Sequence, residues 1–461
     1  MKLLYYNWDL IDGHNGGGVT VYQKNLLTEL VKTGKDQIYY LNSGWKYDNG
    51  GLRIERTENS FGNEVRSFEV VNSPVLAPFR QSGKNIQLYL EDKLLYNLIK
   101  DFIDKYGPFE VIHFNNMEGL SIKVFDLKKL YPQTKFIYSA HNYFPICSRV
   151  NLWKDEKRGL GHNCDKRDCL ECVDCYSKSR YDSTINSRKS MSASLLKKVF
   201  IKVKSRIDNK LIPDKEEAKY YEQFESQTIN KINEDMDCVL AVSDRVKEIL
   251  VLHGINERKT KVSYIGTKVA DKQIGKCNTS EKQNPFSMIY MGYMRKDKGF
   301  YFFMEALEKI PEQMAKDISI RIVAKYDERR QKSELSRIAS LKNKFNSVEL
   351  VNGYNPDNQK DLLQGINLGI VPILWEDNLP QVAIEQIAYG VPIMVSDLGG
   401  AKELVQNPNF IFQSGNMEDF ISKLMKVIED RELLDAFWSK CRHLTTLHDH
   451  VTELRKIYEE K

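Results

Sequence analysis

Two acidic side chains mark one stretch of the sequence, WEDNLPQVAIEQIAYGVPIMVSDLGGAKELV, which runs from Trp375 to Val405. Asp377 precedes a predicted helix, and Glu385 lies inside it. A carboxylate can accept hydrogen bonds from two neighbouring hydroxyl groups at once, so both acids suit hydroxyl-bearing rings such as a sugar or a ribose. The free amides and positive dipole end of a helix suit a phosphate or diphosphate. The stretch therefore predicts a site for a ligand with hydroxyl-rich rings and phosphate groups.

The start of this helix is predicted from its capping residues. Asn378 is a good N-cap, Pro380 falls in the first turn, and Gln381 occupies the capping-box position. Each acid taken alone also has an ordinary explanation, with Asp377 complementing the helix dipole and Glu385 as a solvated helix residue. The functional interpretation depends on both acids occurring at one helix start.

The elements that must position these acids alternate along the chain. Short β-rich runs are followed by amphipathic helices, a pattern typical of parallel sheets covered by helices. The predicted strands are KLLYYNWDL, QIYYLN, EVIHFNN and KFIYSAHN in the first half and SMIYMGY, ISIRIVAKY, SVELVNGY, LGIVPIL and PIMVSD in the second. The segment TVYQKNLLTELVKTG predicts a helix that ends at Gly34, because apolar residues recur at helical spacing, namely Val21, Leu26, Leu27 and Leu30.

The length of 461 residues exceeds what one hydrophobic core usually fills, so we expect two domains. The polar, aperiodic segment TKVADKQIGKCNTSEKQNP marks the linker between them. The predicted division is an N-terminal domain over residues 1–267, a linker over 268–285, a C-terminal domain over 286–440 and a final helix over 441–461. The sequence predicts an α/β fold with two Rossmann-like domains that face each other across a cleft, where a ligand would bind.

Composition excludes several classes of protein. Hydrophobic residues at 41% and charged residues at 28% are ordinary for a globular chain. A net charge of +5 is too small to imply nucleic acid by itself. No apolar run is long enough to span a bilayer, and Asp9 and Asp12 fall where a signal peptide would stay apolar. We therefore expect a cytoplasmic location.

The Trp375–Val405 stretch as a whole resembles the donor-binding signature of the retaining glycosyltransferases of family four, which have the GT-B fold. Their pattern is an acid, seven residues, a Glu, a small-residue helix, Gly-x-Pro, a strand, Gly-Gly and a further Glu. The first acid is usually Glu, and here Glu376 stands beside Asp377, which leaves open which carboxylate meets the donor sugar. The matching residues are Asp377, Glu385, Gly390, Pro392, Gly399, Gly400 and Glu403.

Two N-terminal stretches resemble the same family. NGGGVTVYQKNL is similar to its first glycine loop, where Gly17 and Gly18 would let backbone amides approach a diphosphate or an acceptor without a Cβ in the way. FIYSAHN is similar to the strand that ends in its active-site His, which makes His141 the candidate to hold the hydroxyl groups of the donor sugar. A lone His at a strand end is more often structural, so this role for His141 rests largely on the resemblance.

The segment MIYMGYMRKDKGFYFFMEAL is similar to the family's phosphate-binding segment. Lys298 and Gly299 match its Lys-Gly, whereas Tyr293 occupies the usual Arg position and Arg295 lies two residues further on. A Tyr cannot replace a guanidinium on a phosphate, so either Arg295 turns toward the ligand or charge neutralisation is weaker. The predicted donor- and phosphate-binding residues are Gly17, Gly18, Arg295, Lys298, Asn378 and Leu379, and the predicted catalytic residues are His141, Asp377 and Glu385.

The resemblance implies transfer of a sugar from a nucleotide diphosphate sugar, with UDP or GDP as the nucleotide, to a hydroxyl acceptor with retention at the anomeric carbon. It also implies a final helix that crosses back to the N-terminal domain. No nucleophile flanked by its own acid is evident, which favours departure and attack on one face of the sugar. No Asp-x-Asp metal clamp is evident at a strand end either, so we expect no catalytic metal.

Five of the eight cysteines fall in one insertion, which spans about residues 145–235 together with a basic segment. In a reducing compartment such a cluster indicates a metal before it indicates disulfides. Their spacing suits a structural zinc site, and an iron–sulfur cluster or reduced thiols remain as alternatives. The candidate ligands, of which four would bind the metal, are Cys147, Cys164, Cys169, Cys172 and Cys175.

The segment SASLLKKVFIKVKSRIDNKLI, residues 192–212, places apolar residues on one helical stripe among lysines and arginines. Such a helix would suit an anionic membrane surface near a lipid-linked acceptor, at the inner face of the membrane. It would equally suit a helix packed on the N-terminal domain with its lysines in solvent. Near the C-terminus, His443, His448 and His450 could indicate a metal site, but we interpret them as part of a solvated helix end.

The leading hypothesis is an enzyme of cell-surface or lipid-linked polysaccharide assembly. The alternative from another class is a non-catalytic, zinc-braced GT-B scaffold that binds a partner or a membrane. Tyr293 and Asp377 keep that alternative open, whereas Glu385, Lys298 and His141 argue against it. An epimerase would need a proton-shuttling pair and a phosphorylase of the glycogen type a pyridoxal Lys, and the sequence indicates neither.

Overall fold

A computed structural model of the chain describes residues 1–13, 17–78, 85–147, 150–154, 162–164, 178–190, 215–272 and 285–460. The chain divides into two compact units. Unit 1 comprises Met1–Leu152, Asp165–Ile265 and Leu447–Lys461. Unit 2 comprises Trp153–Cys164 and Gly266–Thr446.

Unit 1 is built on a sheet of eight strands in the order β10-β9-β6-β5-β1-β2-β4-β3. All neighbouring pairs are parallel except β3 and β4, which are antiparallel. The central strands read as continuous apolar runs because both faces of a parallel sheet are covered. The strands are β1 (Lys2–Tyr6), β2 (Gln37–Ser43), β3 (Arg53–Thr57), β4 (Val65–Val71), β5 (Val111–Phe114), β6 (Lys135–Ala140), β9 (Cys238–Ala241) and β10 (Thr260–Val262).

The helices of unit 1 connect these strands, and a last one comes from the C-terminal end of the chain. The α-helices are α1 (Gly18–Thr33), α2 (Ile86–Glu91), α3 (Lys93–Tyr106), α4 (Leu127–Leu130), α5 (Lys178–Ser190), α6 (Lys215–Asp235), α7 (Asp244–Leu252) and α16 (Leu447–Glu459). Two short 3-10 helices are Ile122–Asp126 and Glu257–Lys259. Ser243 caps α7 by accepting a hydrogen bond from the Val246 N–H, as helix-start residues of this type do.

Unit 2 is built on a parallel sheet of six strands in the order β13-β12-β11-β14-β15-β16. Its strands are β11 (Phe286–Met291), β12 (Ile318–Ala324), β13 (Ser347–Asn352), β14 (Leu368–Val371), β15 (Ile393–Ser396) and β16 (Ile411–Phe412). A separate antiparallel pair joins β7 (Trp153–Lys154) and β8 (His162–Asn163).

The helices of unit 2 alternate with its strands. They are α8 (Phe300–Lys309), α9 (Glu312–Ala315), α10 (Lys332–Leu341), α11 (Gln359–Leu363), α12 (Gln381–Ala388), α13 (Ala401–Val405), α14 (Met417–Glu429) and α15 (Glu432–Trp438), with 3-10 helices at Ala270–Lys272 and Pro408–Phe410. All nine strands predicted from the sequence are confirmed in position and type.

The C-terminal helix α16 belongs to unit 1 and packs against α1. Its Arg455 forms an ion pair with Asp36 and donates a hydrogen bond to Thr33 at the end of α1 (3.0 Å). Tyr458 lies deeper, where its hydroxyl group is hydrogen-bonded to Tyr5 (3.0 Å) and to His113 Nδ1 (2.7 Å). The N-terminal unit is thus completed by residues that follow unit 2 in the chain.

One helical position differs from its prediction. Leu26, Leu27 and Leu30 of α1 are buried, whereas Val21 is 51% exposed. With about 3.6 residues per turn, Val21 lies on the side of α1 opposite to Leu26, Leu27 and Leu30, so it falls outside the buried face.

The basic segment at residues 192–212 lies outside the described residues, and its two interpretations stay predictions. None of the helices in the described part of the chain combines the length and apolar character that crossing a bilayer requires.

Gly299 ends the loop between β11 and α8, and it cannot be replaced without strain. Its φ of +72° lies in the left-handed region, and a Cβ would stand 1.7 Å from the carbonyl oxygen of Pro372. Gly415 has a similar φ of +74°, with nothing within 4 Å of a Cβ. Substitutions at these two glycines therefore distinguish the cost of backbone strain from the cost of a steric clash.

We expect Gly415→Ala to lower the free energy of unfolding by about 1 kcal/mol, the ordinary cost of a left-handed non-glycine residue. Gly299→Ala carries that cost together with the clash, which adds about 2 kcal/mol. Urea titration of both variants measures the difference. Equal losses would contradict the close approach of Gly299 to Pro372.

Candidate functional site

The strand order of unit 2 indicates where a ligand binds. The chain runs from β11 outward to β13 on one side and from β14 outward to β16 on the other, so the direction of connection reverses between β11 and β14. In open parallel sheets, ligands bind at the carboxyl ends of the strands at such a reversal. The loops there are residues 292–299 after β11 and residues 372–380 after β14.

These two loops are joined directly. The N–H of Leu374 donates a hydrogen bond to the carbonyl oxygen of Asp297 (3.0 Å). The ammonium group of Lys298 donates to the carboxylate of Asp377 at 2.5 Å and stands 5.1 Å from the centre of the Trp375 ring. Lys298 is therefore fixed beside the carboxylate, with a quarter of its side chain exposed.

A third loop, residues 397–400 after β15, holds the backbone around Asp377. The N–H of Gly399 donates to the carboxylate of Glu376 (2.8 Å), and the N–H of Gly400 donates to the carbonyl oxygen of Asp377 (2.9 Å). Gly399 has a φ of +64°, and a Cβ there would stand 2.2 Å from that same oxygen. Gly399 and Gly400 thus allow their loop to lie directly against the backbone of Asp377. The two adjacent acids are engaged differently, because Glu376 holds the loop and Asp377 pairs with Lys298.

The predicted N-cap is wrong. Helix α12 begins at Gln381 with Pro380 in the capping position, and Asn378 lies in the loop before it. The hydrogen bond from Gly400 holds the backbone at Asp377, so the chain becomes helical only later. Asn378 is nonetheless 5% exposed, and among the described residues its Nδ2 atom has no hydrogen-bond partner. Leu379 beside it is also buried.

Glu385 is a half-buried side chain in α12 with a partner that sequence reasoning missed. The hydroxyl group of Tyr354, in the loop after β13, donates a hydrogen bond to Glu385 Oε2 (2.8 Å). Burial raises the pKa of Glu385, and hydrogen bonds from the Tyr354 and Gln359 side chains oppose that shift. Glu385 is thus held in a fixed direction in an environment that disfavours its charge.

The predicted phosphate-binding arginine is already paired. Arg295 donates to both carboxylate oxygens of Asp297, through Nε at 2.9 Å and through Nη2 at 2.7 Å. Tyr293 is 56% exposed. Asp297 therefore offsets the charge of Arg295, and Lys298 is the cation that contacts the Asp377 loop.

In unit 1, the order of connection reverses between β1 and β5, so the corresponding edge lies at the ends of these strands. Gly17 and Gly18 follow β1 and begin α1, where Gly17 has a φ of +57°. His141 follows β6, the neighbour of β5, and is only partly exposed. Its Nε2 is hydrogen-bonded to the Asn115 side-chain oxygen (3.3 Å) at the end of β5. Burial lowers the pKa of His141 to about 3, so its imidazole is neutral at ordinary pH.

The interpretation of His450 as part of a solvated helix end is wrong. Its side chain is 2% exposed, and its Nε2 is hydrogen-bonded to the Tyr22 hydroxyl group (2.8 Å). The turn of α16 that carries it faces α1, whereas the His448 side chain is 80% exposed. The alternation of histidines along α16 did not reveal which of them faces inward.

The cysteine cluster is described only in part. Cys147 and Cys164 are half-buried, and Cys169, Cys172 and Cys175 lie outside the described residues. The zinc site stays a prediction.

The three sets of comparisons with known proteins agree with one another. Residues 272–443 match the family Glycosyl transferases group 1. An uncharacterized glycosyltransferase of Methanocaldococcus jannaschii is 24% identical over 201 residues, which cover 43% of this chain and about half (49%) of that protein. A second one from the same organism is 21% identical over 380 residues, which cover 77% of this chain and 88% of that protein.

Among solved structures, the chain is similar to that of HepE from Anabaena in complex with UDP and glucose. The TM-score is 0.58 with 14% sequence identity, and all of both chains is covered. The fold is therefore GT-B, with two Rossmann-like units and a C-terminal helix that returns to the first, as predicted. The matches together support a glycosyltransferase.

The raised pKa of Glu385 predicts a pH-dependent cost in stability. The folded protein holds the Glu385 proton more tightly than the unfolded chain does, so the free energy of unfolding decreases as the pH rises above the ordinary value of 4.5. Gln keeps an acceptor for Tyr354 but has no charge. We therefore expect Glu385→Gln to be more stable than the wild type at about pH 8 and to lose this advantage near about pH 4.

Urea titrations at the two pH values measure this difference. Glu429→Gln is the matched control, because Glu429 is an exposed residue at the end of α14, and its substitution should give no pH-dependent gain. A Glu385→Gln variant with no advantage over the wild type at the higher pH would contradict the prediction.

Proposed function

We propose that the chain is a retaining glycosyltransferase that moves a sugar from a nucleotide diphosphate sugar to a hydroxyl acceptor in cell-surface or lipid-linked polysaccharide assembly. The observation that carries the proposal is the junction at the strand reversal of unit 2. There one cation, Lys298, and two adjacent acids, Glu376 and Asp377, are held by three strand-end loops.

Each group at this junction suits one part of a nucleotide diphosphate sugar. The Lys298 ammonium would stabilise the diphosphate, and its contact with Asp377 keeps it in place before the ligand binds. The Glu385 carboxylate, directed by Tyr354, would accept hydrogen bonds from the two ribose hydroxyl groups. The buried Asn378 side chain offers a donor for phosphate or sugar oxygens. Asp377 would orient the transferred sugar.

We also propose that His141 binds hydroxyl groups of the transferred sugar. Because its pKa is lowered to about 3, the imidazole is neutral and can hydrogen-bond to hydroxyl groups without adding charge. The similarity to HepE, whose crystals contained UDP and glucose, makes a UDP-sugar the first donor to test.

Retention is expected to arise on one face of the sugar. The acceptor oxygen forms a bond to the anomeric carbon as the bond to the phosphate oxygen breaks, the electron pair leaves with the nucleoside diphosphate, and the acceptor proton passes to that departing oxygen. A double displacement needs an available carboxylate as nucleophile. Glu376 is held by the Gly399 N–H and Asp377 by Lys298, which supports the single-face route.

Donor binding tests this proposal first. Calorimetric titration with a panel of UDP- and GDP-sugars should give saturable binding of one donor by the wild type, in buffer without added divalent metal. Glu385→Ala should lose that binding, because the ribose would lose its acceptor, and Lys298→Ala should weaken it by about tenfold or more, because a charge-assisted contact is worth about 1.5–3 kcal/mol.

The matched control is Lys309→Ala, which removes an exposed lysine of α8 and should bind like the wild type. Failure of the folded wild type to bind any donor would refute the transferase and leave the non-catalytic scaffold as the better explanation.

The stereochemistry of transfer is a separate test. Once a donor is known, we expect the anomeric proton of the product to show the same configuration as the donor in NMR spectra recorded as the reaction begins. A product of opposite configuration would refute retention while leaving transferase activity intact.

A further inference from the structure

The His141 ring contacts the Tyr22 ring of α1, which in turn contacts the His450 ring of α16, and we call Tyr22 and His450 the stack. The Tyr22 ring of α1 lies against the His141 imidazole, with ring centres 4.4 Å apart and planes tilted by 48°. The His450 ring of α16 stands 5.5 Å from the Tyr22 ring in an edge-on arrangement. The Tyr22 hydroxyl group is hydrogen-bonded to His450 Nε2 at 2.8 Å. Tyr22 is thus fixed at its hydroxyl end by α16 and presents its ring to His141.

A second connection links α16 to the strand that carries His141. The Tyr458 hydroxyl group is hydrogen-bonded to His113 Nδ1 (2.7 Å), and His113 Nε2 is hydrogen-bonded to the Ser139 hydroxyl group (2.7 Å). Ser139 lies in β6, two residues before His141. Because Tyr22, His113, Ser139, His450 and Tyr458 are all buried, these contacts exclude water and leave each ring little freedom.

We propose that Tyr22 and His450 are positioning residues that hold the His141 imidazole in one orientation and one protonation state for binding the transferred sugar. This inference rests on the proposed function for the role of the sugar, whereas the orientation of the ring is a property of the protein alone. Neither Tyr22 nor His450 is assigned contact with the ligand. They act through His141, whose Nε2 is hydrogen-bonded to Asn115.

The alternative is that the stack is ordinary core packing, which predicts a loss of stability and nothing more. The two cases differ in what happens to His141. Among the described residues, Tyr22 of α1 contacts its ring, and His113 of β5 and His450 of α16 interact with it electrostatically. Burial lowers the pKa of His141 to about 3 and that of His450 to about 4. Opening the stack would admit water to His141 and return its pKa toward the ordinary value of 6.5.

The first test follows the His141 ring directly. Nitrogen-15 labelling of the eight histidines gives imidazole NMR signals, and His141→Gln identifies those of His141. We expect the His141 signals of the wild type to show a single tautomer that does not titrate between about pH 5 and pH 8. Tyr22→Leu and His450→Leu should make them titrate within that range. His450→Gln, which can still hydrogen-bond to the Tyr22 hydroxyl group, should restore most of the wild-type behaviour.

The second test uses turnover of the donor identified above. We expect Tyr22→Leu and His450→Leu to lower kcat by about tenfold, with KM for the donor changed by about twofold or less, because a misplaced ring affects the reacting geometry more than nucleotide binding. Their loss of kcat should be largest at acidic pH, where the released His141 becomes charged. Tyr22→Phe keeps the stacked ring and loses only the hydroxyl group, so its effect should be intermediate.

His448→Leu is the matched control on α16, since that side chain is 80% exposed. Tyr89→Phe controls for loss of a buried tyrosine hydroxyl group, because Tyr89 is hydrogen-bonded to Thr228 (3.0 Å). Both should leave the His141 signals and the pH profile unchanged. If the leucine variants fail to fold, Tyr22→Phe decides the question, because it removes the hydrogen bond to His450 and should shift the His141 titration by an intermediate amount.

Unchanged His141 signals in the folded Tyr22→Leu, His450→Leu and Tyr22→Phe variants would overturn the proposal. A wild type that neither binds nor transfers a sugar would instead refute the proposed function. The NMR titration of the histidines would still show whether the stack holds His141 in one orientation.

Discussion

The loop at residues 375–378 is the constraint on which the candidate site of unit 2 depends. Its Asp377 carbonyl oxygen accepts a hydrogen bond from the Gly400 N–H, and its Glu376 carboxylate accepts one from the Gly399 N–H. The Asp377 carboxylate forms an ion pair with Lys298. Since these partners come from the loops after β11 and β15, three neighbouring strand ends are fixed relative to one another. Lys298 and Asp377 are therefore held in place in the absence of a ligand. A site held in this way needs little rearrangement of its side chains when a ligand binds.

The two units support their candidate residues by different physical means. In unit 2, charge-assisted hydrogen bonds and close glycine contacts hold Lys298 and Asp377. In unit 1, packed aromatic rings and neutral hydrogen bonds hold His141, and burial keeps its imidazole uncharged. The charged groups of unit 2 suit an anionic group, and the neutral imidazole of unit 1 suits a hydroxyl group.

Much of the fold was predictable from the sequence, because parallel strands buried on both faces leave continuous apolar runs such as that of β1. The edge strand β16 has only two residues, and β3 (RIERT) is mostly polar and lacks the apolar run of a strand buried on both faces, so neither was recognised. The position of Asn378 was mispredicted because a tertiary hydrogen bond from Gly400 overrides local capping chemistry. Tyr354 and Tyr22 were missed because their partners, Glu385 and His450, are 31 and 428 residues away, and no local signal reports such contacts.

The return of α16 to unit 1 has a consequence for synthesis of the chain. Val451, Leu454 and Ile457 of α16 are buried, and the ribosome makes them only after all of unit 2. Domains generally begin to fold as they emerge, the N-terminal one first. The hydrogen bonds of Tyr5, Tyr22 and His113 to α16 can therefore form only after unit 2 has been translated. The unit whose synthesis begins first is the last to be completed.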